Sequence, residues 1–456
     1  MVSAVDAEAL FYEGVRLMTA GDAQAAEDCL REAAAAAPDL AEAHVNLGYL
    51  QDQRGARGEA EASYRRALAL NPTGVETWLN LGALLATQKR LDEAEAAYRQ
   101  ALALQPDNAQ VWSNLGALFA CLHRDQEAEA CCRQAIALAP ERPKARFNLS
   151  YLLLRQGRYE EGWACFEARD WYAALERHLQ CPRWRGEPLA GKSVLLGYEA
   201  GHGDMIQFCR YAAELKLRGA ARITLLCHPA LKRLFASLRA VDTVMAFDEN
   251  VPATGWDYWT PLMSSPYYCQ TRLDSVPAAI PYLHAQPDLV ARWKTELPTD
   301  GLRVGLAWKG NPKFDNDGDR SLADLSVLAP LWQVPGARFI SLQKGAGEDQ
   351  ARDQPQGQPL MDLGSQAQDF ADVAAMIASL DLVISVDTAV AHLAGALGVP
   401  CWLLLPVYQT DWRWLDGRSN SVWYPKGMRL FRQQTMGDWG QVVEQLKTEL
   451  AQRVLR

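Results

Sequence analysis

Prolines fall at Pro38, Pro72, Pro106 and Pro140, each 34 residues after the one before. A chain that repeats at this interval is confined to stacked helical hairpins, because a unit so short cannot bury its apolar face alone and must lean on its neighbours. The internal positions keep the same interval. Leu47-Gly48, Leu81-Gly82 and Leu115-Gly116 mark the first helix of each unit, and Ala60, Ala94 and Ala128 mark the second. Small residues there let the paired helices approach closely, and Tyr64, Tyr98, Ala67, Ala101 and Ala135 complete the packing set. A weaker first unit spans residues 7–40 through Gly14, Ala26, Ala33 and Pro38. A degenerate fifth starts near Pro143 and runs through Asn148, Leu149, Tyr159 and Phe166. The pattern then fades, and residues 171–188 read as a junction.

The period is that of tetratricopeptide repeats, whose first helices line the inner face of a superhelix. The sixth position of the units reads Tyr12, Asn46, Asn80, Asn114 and Asn148. A carboxamide donates to a peptide C=O and accepts from a peptide N–H, so a column of them can hold an extended chain with little regard for its sequence. Asparagine before Leu-Gly is equally a plain repeat residue. The column resembles the asparagine ladder of protein O-GlcNAc transferases, and that resemblance implies an acceptor polypeptide held by Asn46, Asn80, Asn114 and Asn148.

From Gly191 the periodicity changes to strand and helix in alternation. Ser193 to Gly197 and Arg222 to Cys227 are short apolar runs that suit buried parallel strands, and Asp204 to Arg218 between them has helical spacing. The intervening YEAGHG loop, Tyr198 to Gly203, places two glycines before the helix, where backbone can come close to a ligand. No G-x-G-x-x-G is present. Asp204 and His202 are adjacent candidates for a general base, although Asp204 also suits a first-turn aspartate favoured by the helix dipole. A helix over 230–238, strands over 243–247 and 256–259, and a Trp-, Tyr- and Pro-rich wall to Tyr282 follow. A boundary lies near 285–300.

The second sheet opens with Arg303 to Trp308, followed by Lys309-Gly310-Asn311-Pro312 and, further on, Arg320-Ser321. Asp315, Asp317 and Asp319 lack the glycine and the final glutamate that a calcium loop needs, so no metal is expected there. Ala337 to Leu342 is a strand that delivers Gln343 and Lys344 to its carboxyl edge, where Lys344 is either a phosphate cation or a solvated lysine. A helix over 369–380 leads to the strand Leu382 to Val386. Asp387-Thr388 then caps a helix from Ala389 to Leu397, stopped by Gly398 and Pro400 before the strand Cys401 to Leu405. A helix N-terminus at a strand's carboxyl end is a ready anion site. The final amphipathic helix, Trp439 to Leu455, is expected to pack back on the first half of this α/β region.

Several of these segments are family marks. D-T-x-x-x-H-L-A falls on Asp387, Thr388 and His392; G-x-G-D on Gly201, Gly203 and Asp204; G-x-x-W-x-G-N-P on Gly305, Trp308, Gly310, Asn311 and Pro312; D-W-R-W on Asp411 to Trp414; and W-Y-P on Trp423 to Pro425. The chain resembles bacterial tetratricopeptide-fused glycosyltransferases of the heptosyltransferase type. The resemblance implies an all-α solenoid over 1–170 followed by an α/β GT-B pair, an acceptor half over 171–290 and a donor half over 291–456. It implies an inverting, metal-independent enzyme with no cofactor. A nucleotide sugar would be held through Asp387, Thr388, Ala389 and His392 with Lys309, Arg320, Gln343 and Lys344, and Asp204 would be the base, with His202 at the variable position. The expected acceptor is a Ser/Thr-bearing, flagellin-like protein. A lipid or saccharide acceptor, or a repeat scaffold without chemistry, are the alternatives. The aromatic residues of the closing segment could stack on a nucleobase or sugar, or pack between domains.

Composition narrows the partners. A net charge of -9 with pI near 5.4 argues against nucleic acid or an anionic membrane as the main partner. Ten scattered cysteines without zinc spacing suit a reducing compartment. No leader-like start and no run approaching the roughly 18 apolar residues of a span are present, so the expected location is the cytoplasm.

Overall fold

The computed structural model describes residues 4–353 and 360–455. They form two compact units divided between Leu152 and Leu153. The first unit holds the helices α1 (Ala4–Ala20), α2 (Ala23–Ala36), α3 (Ala41–Gln53), α4 (Arg57–Leu70), α5 (Val75–Thr87), α6 (Leu91–Leu104), α7 (Ala109–Cys121) and α8 (Asp125–Leu138), with α9 (Pro143–Arg155) entering the second. The next helix, α10 (Tyr159–Phe166), carries Trp163 and Phe166 into an aromatic core with Phe208 and Trp412, so that part of the degenerate fifth repeat is built into the α/β unit.

Within the solenoid each sequence signal has a contact behind it. A methyl group added at Gly48 or Gly82 would lie 2.8 or 2.6 Å from the ring of Tyr64 or Tyr98, so glycine is what lets the paired helices close on those rings. Position 44 and its equivalents make one recurring latch. His44 reaches the Pro38 carbonyl at 3.3 Å, Trp78 donates to Pro72 at 2.9 Å, Trp112 to Pro106 at 2.8 Å and Arg146 to Pro140 at 2.9 Å. Four side chains of three chemistries thus satisfy the same carbonyl, which a purely apolar consensus does not register. Between repeats, Arg54 pairs with Glu27, Arg90 with Glu61 and Arg124 with Glu95. The four ladder asparagines are half-buried on α3, α5, α7 and α9.

The second unit contains two all-parallel sheets. The first comprises β1 (Ser193–Gly197), β2 (Arg222–Cys227), β3 (Thr243–Ala246) and β4 (Tyr258–Pro261), in the order β3-β2-β1-β4. The second comprises β5 (Leu302–Ala307), β6 (Ala337–Ser341), β7 (Leu360–Asp362), β8 (Leu382–Val386), β9 (Cys401–Leu405) and β10 (Met428–Arg432), in the order β10-β9-β8-β5-β6-β7. This is the expected solenoid followed by a GT-B-type pair of Rossmann-like halves. The strand order reverses beside β1 in one sheet and between β5 and β8 in the other. Loops diverge at such switch points, and ligands of open α/β sheets bind there. The loops that leave them are the YEAGHG loop, the Lys309–Pro312 segment and the Asp387-Thr388 turn.

Two expectations are corrected. The closing helix, Gly440–Val454, does not reach the first half: Val442, Val443, Leu446 and Leu450 join Val304, Leu331 and Trp402 in the core of the second sheet. It follows edge strand β10 after a short turn, so its apolar stripe finds its own sheet first. The helix expected from Asp204 to Arg218 is two, His202–Phe208 and Tyr211–Leu217. At the junction Arg210 turns its guanidinium onto the Gln207 carbonyl at 2.7 Å, and also donates to the carbonyls of Pro277 and Trp423 and to the Tyr282 hydroxyl. No helix among the described residues is long and apolar enough to cross a membrane.

Candidate functional site

The loop after β1 is anchored from below. Glu199 turns inward to a buried ion pair with Arg169 at 2.6 Å, and Arg169 also reaches Glu167 at 2.8 Å and the Ser264 hydroxyl at 2.8 Å. Ala200 then takes a left-handed φ of 58°, which an alanine adopts only under constraint. The chain enters the His202–Phe208 helix with the Asp204 carboxylate accepting the Gly201 N–H at 2.9 Å. One Asp204 oxygen thus performs the capping role a first-turn aspartate suggests, and the other is taken by Arg413.

The two switch points meet at Gly203. A Cβ there would lie 2.9 Å from the His392 ring and 3.6 Å from the Ala389 Cα, so the helix of the first sheet rests on the start of helix Ala389–Leu397 of the second. His392 is 5% exposed, shares a hydrogen bond with the Tyr424 hydroxyl at 2.9 Å and stacks on Trp414. Burial, and then the charges of Arg413, Arg210 and Arg320, hold its pKa well below the ordinary range, so it is neutral at pH 7. Asp387 accepts from the Trp414 indole N–H at 2.8 Å. Its carboxyl is pushed up to about 6, first by burial and then by Asp411, against the pull of the Trp414 bond, Arg320 and Arg413. The Thr388 hydroxyl stands 3.2 Å from that of Ser385 and makes no cap bond. The Ala389 and Val390 amides, the first of the helix, have no acceptor among the described residues.

Arg413 ties these pieces together. Its buried guanidinium donates to Gln207 at 2.5 Å, to Asp411 at 2.8 Å and to Asp204, which bridges the first half's helix to the turn after β9. The signal was present as the D-W-R-W segment. Nothing local shows that its arginine meets an aspartate 209 residues away. The tryptophans and tyrosine of the closing segment, Trp412, Trp414, Trp423 and Tyr424, are all buried. They pack; they do not offer faces to a ligand.

The remaining candidates divide. Gln343 has committed its carboxamide to backbone, accepting from Trp308 and Lys309 and donating to Lys309 and Ala346, so it shapes the loop. Lys344 is tied to the Ser365 carbonyl at 3.0 Å. Arg320 pairs with Asp317 at 3.1 Å and covers the Phe314 ring, and its charge is felt at Asp387 and His392. The Lys309 ammonium has no hydrogen-bonding partner among the described residues, with the Asp324 carboxylate as a nearby charge. His202 packs against His228 and Phe370, and burial with the His228 neighbour brings its pKa down to about 4. Among the described residues no cluster of three or more metal-ligating side chains is present.

Residues 350–404 match the model of glycosyltransferase family 9 (heptosyltransferase), a segment that includes β8, the Asp387-Thr388 turn and helix Ala389–Leu397. Tetratricopeptide repeat models match residues 11–75, 75–108 and 122–178. Together with the sheet order, these matches support a tetratricopeptide-repeat-fused, heptosyltransferase-like glycosyltransferase. Among characterised proteins, the chain is similar to Protein FlbA of Caulobacter vibrioides, with 27% identity over 325 residues, covering 63% of this chain and 52% of that protein. It thus spans about half the length of that relative. Similar solved structures include Pseudomonas aeruginosa PilF (24% identity, TM-score 0.33, 36% of this chain and 74% of that one) and MamA (22%, 0.32, 36% and 93%).

Proposed function

We propose that the chain transfers a sugar from a nucleotide-sugar donor to a hydroxyl of a protein acceptor, with inversion and without a catalytic metal. The observation that carries this reading is the meeting of the two switch points at Gly203 and His392, beside uncapped helix amides. The amides of Ala389 and Val390 with the Thr388 hydroxyl would receive the donor's diphosphate, since a helix N-terminus presents N–H groups and a partial positive charge. The Lys309 ammonium, which has no hydrogen-bonding partner among the described residues, and Arg320 would take up the charge of the departing nucleotide, as pre-placed donors do in a water-poor cleft. Asp387 and His392 support the turn from behind. Lys344 would have to leave Ser365 to take part.

Asp204 would take the acceptor's proton. Arg413 orients that carboxylate, and the pair would tighten or part as substrate arrives. His202, neutral at pH 7 and within its ring cluster, would flank the acceptor. The acceptor, a Ser/Thr-bearing polypeptide of flagellin-like kind, would lie along the asparagines of the solenoid. Asn46 and Asn80 have no side-chain partner among the described residues, whereas Asn114 accepts from Lys144 at 3.3 Å and Asn148 donates to Ser113. The setting proposed is the cytoplasm.

Thermal-shift screening against UDP, GDP, ADP and CMP sugars tests the donor half. A true donor at 100 times its dissociation constant stabilises by about 2.7 kcal/mol. Mass spectrometry of co-expressed proteins tests the acceptor. Stabilisation by no nucleotide sugar would leave a scaffold; glycan products without modified protein would move the acceptor to a saccharide or lipid.

A further inference from the structure

The inner face of the solenoid carries a second column beside the asparagines. Counting back 34 residues at a time from Lys144 gives Gln110, Glu76, Glu42 and Glu8. Each stands four residues before a ladder position, so it lies one turn away on the same helix face. All five are exposed. The column is acidic on α1, α3 and α5, neutral on α7 and basic on α9.

These three carboxylates differ from their counterparts on the second helices. Glu27, Glu61 and Glu95 are each held by two arginines: Arg31 and Arg54, Arg65 and Arg90, Arg99 and Arg124. Glu8, Glu42 and Glu76 have no ion-pair partner among the described residues, although arginine is plentiful in the repeats. Aromatic rings are exposed at the same end. Tyr12, at the ladder position of α1, is 61% exposed, and Tyr49, three residues after Asn46, is 44% exposed. A carboxylate beside an open tyrosine face suits an ammonium or guanidinium, which gains from both. At the other end Lys144 supplies the opposite sign.

We infer that this face takes an extended polypeptide whose lysines or arginines lie over α1, α3 and α5, with its acidic or uncharged end toward Lys144. The inference rests on the proposed ladder for the path of the peptide and adds the charge that selects it. The carboxamides grip backbone irrespective of side chain; the glutamates and tyrosines choose among the chains so gripped. The preference is electrostatic, so it weakens as salt is raised.

The test uses the full chain and fluorescent Ser/Ala/Gly peptides that carry three lysines, three glutamates or no charge, followed by anisotropy at low and high salt. The lysine peptide is expected to bind about tenfold tighter than the uncharged one at low salt, the gain of a few exposed pairs acting together, and the glutamate peptide more weakly. The triple variant Glu8→Lys, Glu42→Lys, Glu76→Lys should reverse that order. These side chains are exposed and have no ion-pair partner among the described residues, so the fold should persist, which circular dichroism checks. Equal affinity for lysine and glutamate peptides, or an unchanged order in the triple variant, overturns the inference. Nucleotide-sugar stabilisation measured on the same samples separates the outcomes: if it persists while charge preference is absent, only this inference fails; if no peptide binds at all, the protein acceptor fails with it.

Discussion

Asp387 shows how burial can set one residue's charge against the stability of the fold. Its native pKa of about 6 lies above the roughly 3.9 of an unfolded aspartate. The folded chain therefore binds more protons than the unfolded chain between those values, and this group's contribution to stability falls as pH rises through 6. Asp387→Asn keeps an oxygen for the Trp414 N–H and removes the charge. The variant should melt higher than the parent at pH 8 and match it near pH 4, while nucleotide-sugar stabilisation weakens. A lower melting point at pH 8 would show that the buried charge is compensated. Arg413 works in the other direction. Removing it leaves the part-buried Asp204 and Asp411 carboxylates without their shared cation. Arg413→Ala should therefore melt well below the parent, with Arg413→Lys between them, since an ammonium can serve the carboxylates but cannot fork to Gln207 as well. Neither role was legible in the sequence. Spacing can show that Asp387 ends a strand, but not that Asp411 lies beside it to raise its pKa.

At the scale of elements, legibility followed periodicity. The strands Ser193–Gly197, Arg222–Cys227, Leu382–Val386 and Cys401–Leu405 lie where their apolar runs end, because strands buried on both faces need unbroken runs and polar residues stop them. The break at Arg210 was hidden, since the helical spacing continues through it while the guanidinium takes the Gln207 carbonyl that the next turn would use. The position of the closing helix is hidden for a related reason: amphipathicity shows that a face is buried, not which neighbour buries it. In the solenoid, the repeat was plain but its latch was not, because His, Trp and Arg occupy one position. That latch can be measured. Trp112→Phe keeps an aromatic ring, though a smaller one, and loses the donation to Pro106, whose hydrogen bond alone is worth about 1 kcal/mol. Trp78→Phe should cost the same, and Trp112→Met more, through lost packing. Equal melting of Trp112→Phe and the parent would reduce the latch to coincidence. Between the sheets, Gly203→Ala forces a methyl group to 2.9 Å from the His392 ring. Overpacking of this kind costs typically 1–3 kcal/mol, and it should depress nucleotide-sugar stabilisation more than a surface change of equal energy does, because it displaces the helix start that would receive the donor.

At the scale of the whole molecule, the proposed chemistry is divided between units that fold around separate cores. Every proposed donor group, from Lys309 to His392, belongs to the α/β unit, and Asn46, Asn80 and Asn114 belong to the solenoid. Effects of changes in independent units add within a few tenths of a kcal/mol. Asn46→Ala with Asn80→Ala should therefore lower affinity for a peptide while leaving nucleotide-sugar stabilisation unchanged. Asp204→Asn should leave both binding events intact and reduce the rate of transfer, because it removes the base while its one remaining oxygen can serve either the Gly201 N–H or Arg413. These three readouts locate the function. Loss of peptide affinity alone assigns the ladder, and loss of rate alone assigns the base. Loss of donor stabilisation on changing Asn46 and Asn80 would mean that the units are coupled through more than the acceptor they share. In that case the repeats would regulate the site as well as feed it, since a binding event in one unit can alter affinity in the other only through a difference in free energy between conformations that both units sense.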